Sequence, residues 1–432
     1  MAEAQTSKTV STKLQQVAER AKAAPELAFM NVAHLIDVEF LEEAYRRTRK
    51  DAAPGVDRQS AQQFAEALRP NLQSLCLRMK EGTYRAPPVR RVEIPKGDGK
   101  TRPIGVPTFE DRVAQRAVAM VLDAIYEQDF LDCSYGFRPG RSTHMAIDKL
   151  WKTMTLARGG WILEVDIRGF FDHLDHGLLK SFLDRRVLDK GIRRLIHKWL
   201  RAGVQTGTEL SRPVSGTPQG GVISPILANI YLHEVADVWF ERMVKPVLDG
   251  QAHLIRYADD LVMLFTSEAD ARRVMRALPK RFGKFGLEIA AEKTKLVQFL
   301  RPQPNRPNET GTFDFLGFTH FWEFTPKKKW VVKRKTARGR LQRAVKAVTD
   351  WMKRSMHWPI MDQLKVLRSK VRGHANYYGI IGNSKAVSIF VYLVKRAWRK
   401  WLSRRSQKGR ITWVKFGAFL KHNPLLPRLK PI

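Results

Sequence analysis

The chain has 432 residues, 44% of them hydrophobic, with 77 Lys and Arg against 42 Asp and Glu, a net charge of +35. That length accommodates two or three domains, and the charge points to a polyanion partner, nucleic acid first, because each neutralised phosphate releases counterions. Two cysteines, Cys76 and Cys133, exclude a disulfide framework and a cysteine metal cluster and suit a reducing cytoplasm; there is no signal-peptide pattern, and no apolar run approaches membrane-spanning length.

Residues 1–30 are polar and read as a frayed or weakly helical lead-in. Val38, Leu41, Ala44 and Tyr45 fall at helical spacing, and a second helix is expected from Ser60 to Met79. Val89 to Pro95 alternates as a strand, and Ile104-Gly105-Val106 reads as its partner across a basic, Gly-rich tip at Lys96–Arg102. Backbone N–H groups and cations at such a tip can wrap a triphosphate. Residues 109–130 read as a helix. Ser134–Ser142, with Arg138 and Arg141 among aromatics and glycines, reads as a loop able to hold a nucleic-acid strand. In Trp161–Asp172 an apolar strand runs into Asp166 and turns at Gly169 into Phe170-Phe171. A carboxylate ending a buried strand is costly unless paired or metal-bound. Two helices are expected over 177–203. Gly216–Gly221 is a loop, and Val222 to Phe240 a helix with Pro225 just inside its start.

Ile255–Phe265 is the focus of the chain. Two apolar strands flank Ala258-Asp259-Asp260, and adjacent carboxylates at such a turn repel unless a positive group, such as a divalent metal, sits there. Asp166 is the expected partner of that turn. An amphipathic helix follows over 268–285, residues 286–289 and 292–300 lead into a polar loop at 301–311, and an aromatic hairpin over Phe313–Phe321 closes this domain. From Glu323 onward, 29 Lys and Arg stand against 3 Asp and Glu. The charge step marks a boundary near 322–330 and the main polyanion surface, followed by helices near 341–352, 360–378 and 385–405.

The order of Tyr135-Gly136-Phe137-Arg138-Pro139-Gly140, Val165-Asp166-Ile167, Gly216 to Pro225, Tyr257-Ala258-Asp259-Asp260 and Phe315-Leu316-Gly317-Phe318 resembles the reverse transcriptase/maturase encoded by bacterial group II introns. Arg372–Tyr378 resembles that family's maturase segment. The resemblance covers about residues 40–430 and implies an α+β right-hand polymerase: an extension at 1–39, fingers and an antiparallel palm sheet at 40–325, then an α-helical thumb/maturase domain at 326–432. It implies RNA-directed DNA synthesis with two Mg²⁺ ions (or Mn²⁺). Asp166 and Asp259 ligate both, the Ile167 carbonyl helps, and Asp260 stands nearby. It assigns Lys96, Arg102, Phe171 and Gln219 to the incoming dNTP, with Phe171 excluding a 2′-hydroxyl, and Lys293 or Lys295 to the pyrophosphate. Nucleic-acid contacts are expected at Arg138, Arg141, Lys327, Lys328, Lys329, Arg334 and Arg372. The implied partners are group II intron RNA, an RNA template, a DNA primer or target and dNTPs, in a bacterial cytoplasm, at the nucleoid when DNA-bound. The endonuclease domain of many relatives is not expected here. A splicing maturase with secondary polymerase activity, or a domesticated relative in defence or repair, remain the alternatives.

Overall fold

The computed structural model describes residues 2–95, 101–207, 209–211, 215–217, 220–303, 310–405 and 409–426. It divides into two compact units: residues 1–149 with 161–296, and residues 150–160 with 297–432. The first mixes helices with antiparallel sheet, as the resemblance implies for fingers and palm; the second adds a three-stranded sheet to the helices that the resemblance implies. No helix among the described residues is long and apolar enough to cross a membrane.

In the first unit the lead-in is not frayed. Ala2–Ala23 is one helix that buries Val10, Val17 and Ala21 against the core. With Leu14 packed beside them these form a single narrow stripe at helical spacing in a polar sequence, so composition hides it. Arg186 collects the carbonyls of Ala21, Ala24 and Leu27 at 2.9 Å each, satisfying groups that a helix end leaves unpaired. Val38–Arg47 is capped by Asp37, and Ala61–Glu66 by a Ser60/Gln63 capping box. The helix Phe109–Tyr126, capped by Thr108, is the buried axis of the unit; hydrophobic residues from Phe109 to Tyr126 line the core. Val89–Pro95 pairs antiparallel with Thr101–Val106, and Val89 pairs parallel with Val204.

The sheet that matters for function has Asp260–Phe265 at its centre, antiparallel both to Trp161–Val165 and to Ala252–Tyr257. The strand Asp260–Phe265 is buried from Leu261 to Phe265, and the helix Glu268–Gly283 packs on this sheet through Ala271, Val274, Leu278 and Phe282. The helix expected over 222–240 begins regularly at Ser224–Leu232, then widens into π turns over His233–Asp237 and Trp239–Val244. A helix at Thr143–Leu156 has no counterpart in the sequence reading.

The second unit starts earlier than the charge step. The aromatic hairpin expected to close the first domain is part of a three-stranded antiparallel sheet, Phe313–Phe315, Phe318–Phe324 and Trp330–Thr336, and that sheet belongs to this unit. Contacts among aromatic rings set the grouping: Phe299 packs on Phe313 at 5.2 Å and on Trp322 at 5.7 Å, and Trp151 Nε1 donates to the Val332 carbonyl at 2.8 Å. Helices Arg338–Arg354, Ile360–Tyr378 and Ser384–Leu402 follow, with a fourth at Trp413–His422 that the sequence reading did not assign. They enclose Val348, Met352, Leu364, Leu367, Phe390, Trp398 and Phe416. Trp398 donates to Gln363, whose amide in turn donates to the carbonyls of Ser355, Met356 and Trp358 beyond the end of the first helix.

Candidate active site

Tyr257 pairs with Asp260, so Ala258-Asp259 is a two-residue hairpin turn, with Ala258 at φ +56°. That is left-handed backbone, which a residue with a Cβ adopts only at a cost. On the other side of the central strand Val165 lies opposite Leu261. One step further along each chain come Asp166 and Asp260, at the end of the sheet where the turn sits. Burial pushes the Asp259 carboxyl above its ordinary range; Arg102 and Arg256 pull it back, while the neighbouring charge of Asp166 pushes the same way as burial. One carboxylate at the turn therefore feels a carboxylate from Trp161–Asp166 and a guanidinium from Thr101–Val106. These are three segments that the sequence places far apart.

The backbone at Asp166 is held by a second strand pair. Ala290 N–H donates to the Asp166 carbonyl at 2.9 Å, and Ile167 pairs with Ile289. In an antiparallel ladder hydrogen-bonded and non-hydrogen-bonded pairs alternate. Ile167, one residue past the bonded position, therefore turns its carbonyl away from Glu288–Ile289. Lys293 Nζ lies 3.1 Å from Asp166 Oδ1, which distinguishes it from Lys295 as the cation beside the carboxylates. Among the described residues, no group of three or more His, Cys, Asp or Glu is gathered as metal ligands. What the chain does present is two mutually repelling carboxylates, one largely buried, and an outward carbonyl. An all-oxygen donor set of two carboxylates and a carbonyl fits a hard divalent cation. Asp260 is exposed at the start of its strand.

Phe171 is 8% exposed, its ring edge-on to Phe170 at 5.2 Å, and its carbonyl accepts from Thr217 N–H at 2.8 Å. That bond docks the loop carrying Gly216 and Thr217 on the Phe170–Asp172 turn. Gly220 approaches the Thr101–Val106 strand so closely that a Cβ would meet the Gly105 carbonyl at 2.6 Å. Lys96 and Gln219, expected at the dNTP, lie outside the described residues.

Beneath the turn lies a polar cluster that the sequence reading missed. Gly136 abuts the turn: a Cβ there would stand 2.3 Å from the Ala258 nitrogen. Arg256, fully buried, pairs with fully buried Asp237, and also donates to Asn229, Ser134 and the Ala258 carbonyl. The available signal was a charged residue inside an otherwise apolar strand, since a buried charge needs a partner. Nothing in the spacing identified Asp237 as that partner.

One expected nucleic-acid contact is corrected. The Arg138 side chain is 3% exposed: it forks onto Glu127 at 2.9 Å and donates to the carbonyls of Leu131 and Ser134, so its hydrogen-bonding capacity is spent inside the protein. Arg141 is tied to Asp132 at 2.6 Å and lies over the Tyr135 ring. In the second unit Arg334 is half-buried over the Trp151 ring at 5.1 Å. Lys327, Lys328 and Lys329 are exposed at the tip of the 318–336 hairpin, and Arg372 is exposed on Ile360–Tyr378.

Residues 94–320 match the reverse transcriptase (RNA-dependent DNA polymerase) family, and residues 341–417 match the group II intron maturase-specific domain. The group II intron-encoded protein LtrA of Lactococcus lactis subsp. cremoris is 29% identical over 416 residues, 77% of this chain and 67% of that protein. Protein YkfC of Escherichia coli (strain K12) is 38% identical over 257 residues, 57% of this chain and 66% of that one. The chain thus spans about two thirds of these relatives. A solved telomerase from Candida albicans, in complex with a fragment of telomeric RNA, has a TM-score of 0.44 at 14% identity, over 84% of this chain and 65% of that one; so loose a likeness carries no argument. Reverse transcriptases use divalent metal ions, which the donor set above suits. The chain belongs to the reverse transcriptase family, an RNA-directed DNA polymerase followed by a group II intron maturase-specific domain.

Proposed function

We propose that this polymerase joins dNTPs to a primer 3′ end at the Asp166–Asp259 site, and that the same chain binds intron RNA and promotes its splicing and mobility. The observation that carries the catalytic reading is the register of the sheet, which sets Val165 opposite Leu261 and Tyr257 opposite Asp260 and so brings Asp166 to the end where Asp259 turns. When bound there, a pair of Mg²⁺ ions would lower the pKa of the primer hydroxyl and stabilise charge on the leaving pyrophosphate. Asp166, Asp259 and the Ile167 carbonyl are the groups to hold them, with Asp260 beside them. Arg102 neutralises triphosphate oxygens, and the family resemblance assigns Lys96 to the same task. Lys293, exposed and already within reach of Asp166, is the group to deliver a proton to the pyrophosphate. Phe171 limits space at the sugar, and the family resemblance assigns Gln219 to the same nucleotide.

The splicing reading rests on the cationic second unit, in which Lys327, Lys328, Lys329 and Arg372 are exposed. Polymerase chemistry and RNA folding then use different residues. The test is primer extension on an RNA template with dNTPs and Mg²⁺, run beside splicing of intron RNA. Asp259→Ala with Asp260→Ala should abolish extension, a loss of at least a hundredfold, and leave splicing within a factor of two. Extension by the double variant at the parent's rate sinks the catalytic assignment. Loss of splicing in a folded double variant sinks the separation of roles.

A further inference from the structure

We infer that Arg256 is a positioning residue for the metal-binding turn: its guanidinium, anchored on Asp237, holds the Ala258 carbonyl and thereby aims Asp259. This rests on the reading of Asp259 as a metal ligand. Ala258 keeps a left-handed conformation that an L-residue adopts reluctantly, and such conformations persist only where the surroundings over-determine them. The surroundings here are specific. Arg256 Nε donates to Asp237 Oδ1 at 2.7 Å and its NH2 to Oδ2 at 2.5 Å, a two-pronged grip that fixes the plane of the guanidinium. With that plane fixed, NH1 reaches the Asn229 side-chain oxygen and the Ala258 carbonyl, each at 3.0 Å, and NH2 reaches Ser134 Oγ at 2.8 Å.

The opposite wall of the turn depends on the same group. Asn229 Nδ2 donates to the Gly136 carbonyl at 2.7 Å, and Gly136 is the residue whose missing Cβ lets the backbone press against Tyr257 and Ala258. Asn229 therefore links the clamp on one side of the turn to the wedge on the other. The widening of the helix after Leu232 into π turns places Asp237 at Arg256, and such turns are frequent at functional sites. Arg256, Asp237, Asn229 and Ser134 are buried, so they act through the backbone next to Asp259 and not on substrate. A displacement of about 1 Å at a catalytic group is enough for a hundredfold loss of rate.

The experiment compares the full-length parent with Arg256→Lys, Ser134→Ala and Asp259→Asn. Arg256→Lys keeps the charge and removes the fork. Ser134→Ala removes one hydroxyl and keeps the ion pair, so it remains informative if the lysine variant does not fold. Mn²⁺ binding is read by electron paramagnetic resonance, extension by kcat and dNTP KM, primer–template binding by anisotropy, and folding by melting temperature. The expected result is a kcat lowered tenfold or more in Arg256→Lys and two- to fourfold in Ser134→Ala. Mn²⁺ binding should weaken in the same order, with primer–template affinity within a factor of two. Folded variants that bind Mn²⁺ and turn over like the parent, while Asp259→Asn loses both, overturn the positioning role alone. An Asp259→Asn that still binds Mn²⁺ as the parent does overturns the ligand reading and the inference with it.

Discussion

Replacing Arg138 with alanine decides between two readings of one residue. The loop Ser134–Ser142 suggests a phosphate contact; the structure makes Arg138 an internal strut. Its side chain is 3% exposed and that of its partner Glu127 is 19% exposed. Removing one member of a buried pair leaves the other charge uncompensated, at a cost of about 3–5 kcal/mol. The exposure remaining at Glu127 favours the low end, ~3 kcal/mol, and two carbonyls also lose their donor, those of Leu131 and Ser134. Set against a total stability of about 5–15 kcal/mol, the variant stays folded with a visibly lower urea midpoint. Arg141→Ala is the matched comparison, because Asp132 is 93% exposed and such surface pairs contribute roughly 0–1 kcal/mol. The assay is urea unfolding of both variants beside RNA binding over a salt series. Arg138→Ala should lower the midpoint and leave the salt slope of binding unchanged. An unchanged midpoint with a slope reduced by about 0.7–0.9, the signature of one lost phosphate contact, refutes the argument.

Three further outcomes are expected. His320 is fully buried, and burial with the nearby charge of Arg334 pushes it down to about 3. Its unfolded form titrates at about 6.5, so the unfolded chain takes up the proton first; this stabilisation is complete above pH 6.5 and is lost as pH falls towards 3. Urea midpoints at pH 7, 5 and 4 should fall for the parent and fall less for His320→Phe, and a flat parent profile contradicts the assignment. Trp398→Ala should cost about 3–5 kcal/mol by emptying the centre of the second unit's helical core, whereas Trp358→Ala, at a site 48% exposed, should cost under about 1 kcal/mol in the same melts. Replacing Lys327, Lys328 and Lys329 together with alanine should reduce the salt slope of RNA binding by roughly 2, with polymerase kcat on saturating primer–template unchanged; an unaltered slope removes the hairpin tip from the RNA interface.

Several parts of the site were legible because their chemistry is local. Tyr257 to Asp260 combines strand formers with a tight acidic turn, and Asp166 ends an apolar run. Both features survive into the structure because strand pattern and turn chemistry act over a few residues. The same holds for the helices of the second unit, where Val348, Met352, Val394 and Trp398 keep the spacing that buries them. The hairpin Phe313–Phe321 forms as a hairpin, and its contacts group it with the second unit. Its aromatic rings identify it as core-facing without saying whose core.

What sequence alone determined was therefore the element types, the reverse transcriptase motifs and the concentration of positive charge after residue 323. What the tertiary structure decided was the fate of the polar groups. Arg138 and Arg141 sit three residues apart in one basic loop, yet one is sealed onto Glu127 and the other reaches Asp132 at the surface. Arg256 precedes the acidic turn and meets its counter-charge on the preceding helical run, at Asp237. The physical reason is that burial and pairing are set by every segment packed around a side chain, whereas propensity and periodicity are set by its neighbours in the chain.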